Sequence, residues 1–234
     1  MHVAKIWRYP VKSLKGEPLD RAELTPDGVA GDRLVHVRRP AGVLTGRSRH
    51  GLLTVPAGTG PDGVATVGGH RWTSPQAAAL VRAAGGPDAE LAAWSGHERF
   101  DVANLLVATD GAVERFGHDV RRLRPNLLLA GVDADDEPDL PGRALAVGGA
   151  VVGVLERRTR CVVTTVDPDS GARDLEVLRH VRRAFDMRLA LDCWVVRPGT
   201  VRVGDEVRLV DLDGAEPAHV GGWILGTPYD VPSR

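Results

Sequence analysis

A run of four β-prone residues, Ala144–Val147, a Gly148-Gly149 pair and a second run over residues 150–155 constrain this chain more than any other feature. Two glycines between strand-like runs specify a tight antiparallel hairpin, because two-residue hairpin turns need backbone conformations that glycine reaches without steric cost. Shorter runs of the same kind recur. Residues 2–9, 20–24, 34–37, 52–55 and 64–67 read as strands, with Pro26-Asp27-Gly28 as a turn. Residues 104–108, 127–129, 193–196 and 201–210 read as strands in the remainder, the last two around Pro198-Gly199. Regular short strands with such punctuation predict a twisted sheet or a barrel.

Three segments break the pattern. Ser74-Pro75-Gln76 offers a helix N-cap with proline in the first turn and opens an alanine-rich run to about residue 84. Thr109 or Asp110 caps a short helix through Phe116, with Gly117 as the stop. Leu175, Leu178, Val181 and Phe185 recur at helical spacing, which predicts an amphipathic helix over residues 174–185. The expected fold class is therefore α+β: a mostly antiparallel β-barrel with a few appended helices. We expect two parts, a strand-rich N-terminal subdomain over residues 1–75 and a barrel core over residues 76–234.

Composition excludes several classes. No apolar run approaches the roughly 18 residues of a membrane span, and the first residues resemble neither a signal peptide nor a presequence. Net charge is −1, so no basic footprint for nucleic acid is visible. Two cysteines make neither a disulfide scaffold nor the ligand set of a four-thiolate iron–sulfur cluster, and a reducing cytoplasm is the expected setting. Zinc-protease, Cys-x-x-Cys, P-loop and nucleophile-elbow motifs are absent. Gly58-Thr59-Gly60-Pro61-Asp62-Gly63 mimics a dinucleotide fingerprint, but no helix follows it. The eight histidines show no ligand spacing.

Two segments carry chemistry. In Arg160-Cys161-Val162-Val163-Thr164-Thr165-Val166-Asp167-Pro168-Asp169-Ser170-Gly171, a cysteine directly after an arginine enters a β-prone run that ends at an Asp-Pro-Asp-Ser-Gly turn. A neighbouring guanidinium favours the thiolate, the form that ligates soft metals or attacks as a nucleophile. The bland reading is a small buried hydrophobe, which is the favoured reading of Cys193. Lys12, in Tyr9-Pro10-Val11-Lys12-Ser13-Leu14-Lys15-Gly16-Glu17, is one of only three lysines among 30 basic residues. Taken alone it reads as a solvated turn lysine.

These two segments stand in order with Gly31-Asp32-Arg33, Leu44-Thr45-Gly46-Arg47, Arg124-Pro125-Asn126 and Val203-Gly204-Asp205-Glu206-Val207. The ordered set resembles the MOSC (molybdenum cofactor sulfurase C-terminal) domain family with its N-terminal β-barrel region. Within that family it resembles the branch of the amidoxime-reducing component and its bacterial relatives. The likeness runs from about Val3 to Val210.

The resemblance implies a molybdenum–pterin cofactor, with no iron–sulfur cluster and no haem, and Cys161 as the metal ligand. Lys12 and Ser13 match positions that bind the pterin phosphate, and Arg33 matches a further cofactor contact. Arg124 and Asn126 match the cofactor-facing pair of the Arg-Pro-Asn motif. Arg160 precedes the metal ligand, Thr159 stands where relatives place a serine, and Thr109 matches a threonine near the pterin. An ammonium, fork-like guanidinium groups and a hydroxyl suit a phosphate.

The implied reaction is two-electron reduction of an N-hydroxylated small molecule. Cys161 would be its centre, and Thr164 or Asp167 would order a proton-delivering water unless Asp167 simply makes the turn. The chain shows neither the ferredoxin-like domain nor the membrane anchor of some relatives, so a separate electron-donor protein is expected as a partner. The segment Asp136-Glu137-Pro138-Asp139-Leu140-Pro141-Gly142 replaces an acidic-Trp segment of the family. Two alternatives remain at this level: a sulfur-carrier module using a Cys161 persulfide, and a non-catalytic cofactor-storage barrel. Lys12 and Arg33, read as exposed loop residues, are expected to tolerate alanine with little loss of stability.

Overall fold

The Gly-Gly hairpin forms, with Ala144 opposite Gly153 and Val147 opposite Ala150. Gly148 has φ +53°, and a Cβ there would collide with the Asp205 carboxylate, so the turn needs glycine for both conformation and space. A computed structural model of the chain describes residues 1–94, 96 and 99–218. Around the hairpin it builds one eight-stranded sheet in the order Val207–Val210, Ala144–Val147, Ala150–Thr159, Arg188–Arg197, Leu105–Thr109, Leu127–Ala130, His2–Arg8 and Glu17–Leu19.

All neighbours in this sheet are antiparallel except Leu105–Thr109 and Leu127–Ala130, whose parallel pairing requires a crossover. The crossover contains helix α2 (Asp110–Phe116). Three register shifts between Ala150–Thr159 and Arg188–Arg197 add local twist. The sheet curls until its opposite ends meet: the Val3 N–H donates to the Asp205 carbonyl at 2.9 Å and the Gly204 N–H to the Val3 carbonyl at 2.8 Å. Val207–Val210 and Glu17–Leu19 remain edge strands, so among the described residues the ladder stays open rather than closing into a full barrel. The α+β, mostly antiparallel expectation holds.

Two cores result. The concave side of the large sheet encloses Val3, Ile6, Val107, Leu127, Leu145, Val152, Leu191 and the fully buried Cys193. A second core gathers Val11, Leu14, Val37, Leu52 and Val81. It packs two three-stranded sheets, Glu90–Ala93/Val35–Arg39/Gly42–Leu44 and Ala57–Thr59/Ala65–Val67/His70–Arg71, with helix α1 (Pro75–Gly85). The connection from Tyr9 to Lys15 runs from the first core to the second. Of the expected second part, residues 219–234 lie outside the described residues.

The three helix expectations hold closely. The Ser74 side chain accepts from the Ala77 N–H, Gly117 takes the left-handed conformation, and Asp174 caps α3 (Leu175–Phe185) through the Glu176 N–H. Three strand expectations do not hold. Residues 52–55 fall in a 3-10 helix, His50–Thr54, that buries Leu52 and Leu53. The cysteine segment forms a 3-10 turn, Val162–Thr165, because the Thr164 and Thr165 hydroxyls bond back to the Cys161 and Val162 carbonyls at 2.9 and 2.7 Å. Residues 201–210 split into Gly199–Arg202 and Val207–Val210 about Gly204, at φ +92°.

Candidate functional site

Ala150–Thr159 delivers Arg160 and Cys161 to the point where the Tyr9–Lys15 connection passes, and a cleft opens between them. It is lined by Lys12, Ser13, Arg33, Arg124, Thr159, Arg160 and Cys161, together with Arg47, Asp101 and Arg158. Its walls bound about 670 Å³, part of it open to solvent. Seven non-glycine described residues have positive φ, and three of them line this cleft: Ser13 at 68°, Arg33 at 54° and Arg124 at 58°. Such conformations cost of order 1–3 kcal/mol each and persist where surrounding structure imposes them. Their concentration here marks the cleft as a built site.

Charge dominates it. Lys12 is buried, donating to the Arg99 carbonyl at 2.9 Å and to Asp101 Oδ1 at 2.6 Å. Burial lowers the Lys12 ammonium to about 8 against the pull of Asp101. The opposite carboxylate oxygen accepts from Arg158 at 3.1 Å and from Arg47 at 3.5 Å. Burial opposes ionisation of Asp101, yet the Lys12, Arg158 and Arg47 charges together hold it well below the usual carboxylate range. Arg33 pairs with the fully enclosed Asp32 carboxylate, which also accepts the Tyr9 N–H at 2.6 Å.

Arg124 and Arg160 differ from these. Arg124 donates to the Leu14 carbonyl at 2.7 Å and stacks over Tyr9, 4.3 Å from the ring centroid. Arg160 donates to the Leu123 carbonyl at 2.7 Å, and its buried Nε has no partner. Among the described residues neither guanidinium has a carboxylate partner. Burial lowers both to about 10, so both stay charged at neutral pH. Ser13, beside them, makes no side-chain hydrogen bond among the described residues. Two largely enclosed guanidiniums without ion pairs among the described residues, and a hydroxyl, suit an incoming oxyanion.

Four expected site residues lie off the cleft lining. Thr109 is fully buried and donates to Glu137 Oε2 at 2.6 Å. Asn126 is 1% exposed and ties the Trp7 carbonyl, the Leu106 N–H and Asp32 together. Thr164 is fully buried under the Cys161 carbonyl. Asp167 accepts the Ser170 N–H and hydroxyl at 2.9 Å and pairs with Arg122 at 3.0 Å, which makes it the organiser of the turn. Thr159 lines the cleft and is exposed. Sequence reasoning missed Asp101 and Arg158. Arg158 and Arg160 stand two apart at a strand end, the spacing that puts side chains on one face, and that signal was available. Nothing in the sequence marked Asp101, which sits in an irregular segment.

Cys161 is half-buried, and both cysteines are free. Among the described residues no group of three or more His, Cys, Asp or Glu side chains could hold a metal ion. A metal at Cys161 would therefore have to bring its other ligands with it.

Residues 82–208 match the MOSC domain family, and residues 1–65 match the MOSC N-terminal beta barrel domain family. The chain is similar to mitochondrial amidoxime-reducing component 1 of Mus musculus, 30% identical over 135 residues that cover 47% of this chain and 37% of that protein. Against mitochondrial amidoxime reducing component 2 of Macaca fascicularis it is 26% identical over an alignment of 277 positions, covering 88% of this chain and 82% of that one. Among solved structures it aligns with the YUAD protein from Bacillus subtilis at TM-score 0.46 and 15% identity, over 88% of this chain and 95% of that one. It aligns with YiiM from Escherichia coli at TM-score 0.45 and 11% identity, over 100% and 80%.

Proposed function

Since the chain belongs to the MOSC domain family, whose function is associated with the molybdenum cofactor, we propose that it is a molybdenum-cofactor-dependent oxidoreductase that reduces N-hydroxylated small molecules, with Cys161 as the protein's metal ligand. The carrying observation is that Arg124 and Arg160, without carboxylate partners among the described residues, flank the same cleft as the Cys161 thiol. A thiol alone would suit many roles. A thiol beside cations arranged for an oxyanion suits a metal group that has its own sulfur ligands and a phosphate arm.

The residues fit that group. Lys12, Ser13 and Arg33 would hold the phosphate arm from the Tyr9–Lys15 side, and Arg124 and Arg160 would neutralise it from the other. When bound, the molybdenum–pterin supplies the two-electron redox chemistry. In the overall reaction the N–O bond breaks, two electrons and two protons enter, and the oxygen leaves in water. A separate donor protein supplies the electrons. Asp32 and Asn126 fix the backbone and Arg33 around the cradle, and the Thr164 hydroxyl fixes the peptide that carries Cys161.

The test is elemental analysis of protein made in a host that synthesises the cofactor, followed by benzamidoxime reduction with a chemical reductant. The expected result is one molybdenum per chain and turnover that Cys161→Ser abolishes. Folded protein without molybdenum, or turnover that survives the substitution, overturns the proposal. Mass spectrometry of Cys161 after incubation with a cysteine desulfurase separates this reading from a persulfide carrier.

A further inference from the structure

Two cleft arginines, Arg47 and Arg158, lie outside the residues that would hold the cofactor, and Arg158 is the one paired with a buried carboxylate. Arg158 Nη1 donates to both carboxylate oxygens of Asp192, at 3.0 and 3.3 Å, while its Nη2 donates to Asp101 at 3.1 Å. Asp192 is 2% exposed, on Arg188–Arg197 opposite Glu156 and Leu106, and among the described residues its side chain has no partner but Arg158. A buried ion pair adds little stability over well-packed apolar residues of the same size. What this pair does supply is orientation: a buried carboxylate holds Nη1 and turns Nη2 toward the cleft, where Asp101 accepts from it.

We propose that Arg158, oriented by Asp192, is a specificity-determining residue that receives an anionic group, a carboxylate or phosphoryl, carried by the N-hydroxylated substrate. This rests on the reductase reading, in which Lys12, Arg33, Arg124 and Arg160 are engaged by the cofactor. Asp101 is the resident occupant of the subsite. An incoming oxyanion displaces the Asp101 carboxylate from Arg158, and Asp101 keeps its Lys12 contact through its other oxygen, 2.6 Å away here. Arg47, 3.5 Å from the same Asp101 oxygen that Arg158 holds, flanks the same position. Asp192 is a positioning residue, since it reaches the cleft only through Arg158.

The experiment compares benzamidoxime with its 4-carboxy derivative in the loaded enzyme, and calorimetry compares benzamidine with 4-carboxybenzamidine in the same protein without turnover. The native protein should prefer the acid in both. Arg158→Gln should reduce that preference roughly ten- to a hundredfold, the span of one charge-assisted hydrogen bond. Because Arg158→Gln leaves Asp192 buried without a partner, the double variant Arg158→Gln/Asp192→Asn is the control for folding, and it should lose the preference equally. Arg158→Lys should keep part of it. No preference in the native protein, or an unchanged ratio in the double variant, overturns the proposal. If neither amidoxime is reduced but the calorimetric preference is present and lost in the variants, the reductase reading fails and the subsite stands. A 4-phosphonate derivative in place of the acid distinguishes phosphoryl from carboxylate recognition.

Discussion

The Lys12 ammonium lies 2.6 Å from the Asp101 carboxylate, although 89 residues separate them in sequence. The contact crosses from the connection between the two cores to the irregular segment ahead of Leu105–Thr109. It changes how a cradle substitution should behave. The sequence predicts that Lys12→Ala and Arg33→Ala are silent for stability. In the structure Lys12 is 7% exposed, and Arg33 neutralises an Asp32 carboxylate that solvent does not reach. Each substitution should therefore destabilise the fold by roughly 1–3 kcal/mol, the cost of leaving a buried polar group unmatched. Denaturant unfolding measures this, and a change below about 0.5 kcal/mol for both would show that neither pair is enclosed in solution.

The lowered Lys12 value has two consequences of opposite sign. Burial brings it from the ordinary 10.5 to about 8 in the folded chain. Between those values the unfolded chain binds more protons than the folded one, so the contribution of Lys12 to stability rises as pH increases through that window. Over the same rise the cleft loses a positive charge. Calorimetry with inorganic sulfate, whose charge is constant over this range, should thus give weaker binding at pH 9 than at pH 7, and Lys12→Gln should flatten the dependence. Equal affinity at both values in the native protein would contradict an ammonium at the anion site.

The two cysteines should respond to serine in opposite ways. Cys161 is half-buried in the cleft, so Cys161→Ser should cost little stability and remove molybdenum. Cys193 is fully buried, and burial, with Asp192 and Glu137 nearby, raises its thiol well above the ordinary value. Placing a hydroxyl there should cost roughly 1–3 kcal/mol and leave molybdenum content unchanged. Elemental analysis beside thermal unfolding of both variants checks the pair, and metal loss from Cys193→Ser alone would exchange their roles.

Thr164 or Asp167 is expected, from sequence, to order a proton-delivering water, unless Asp167 simply makes the turn. Their contacts point to a structural role: Asp167 caps the Ser170 turn and Thr164 closes the 3-10 turn under Cys161. Asp167→Ala and Thr164→Val should each lower stability by about 1 kcal/mol without shifting the pH profile of benzamidoxime turnover. A shifted profile in either variant would restore the catalytic assignment.

The sequence by itself determined the elements whose causes are local. Gly148-Gly149 specified its hairpin, Ser74 and Asp174 their helix starts, and Gly117 its stop, because turn and cap chemistry acts within a few residues. The ordered motifs likewise brought Lys12, Ser13, Arg33, Arg124, Arg160 and Cys161 forward as one set. Only the tertiary structure decided matters set by distant partners. The β-prone run after Cys161 became a 3-10 turn because threonine hydroxyls bonded backward, and the 52–55 run became helical where it buried two leucines. Asp101 acquired meaning only when folding placed it among three cations. Arg158 gained its orientation from Asp192, which sits on a different strand of the same sheet. Apolar periodicity reports which face is covered, but the pairing of charges depends on which strands meet, and in this chain that depends on how far the large sheet curls.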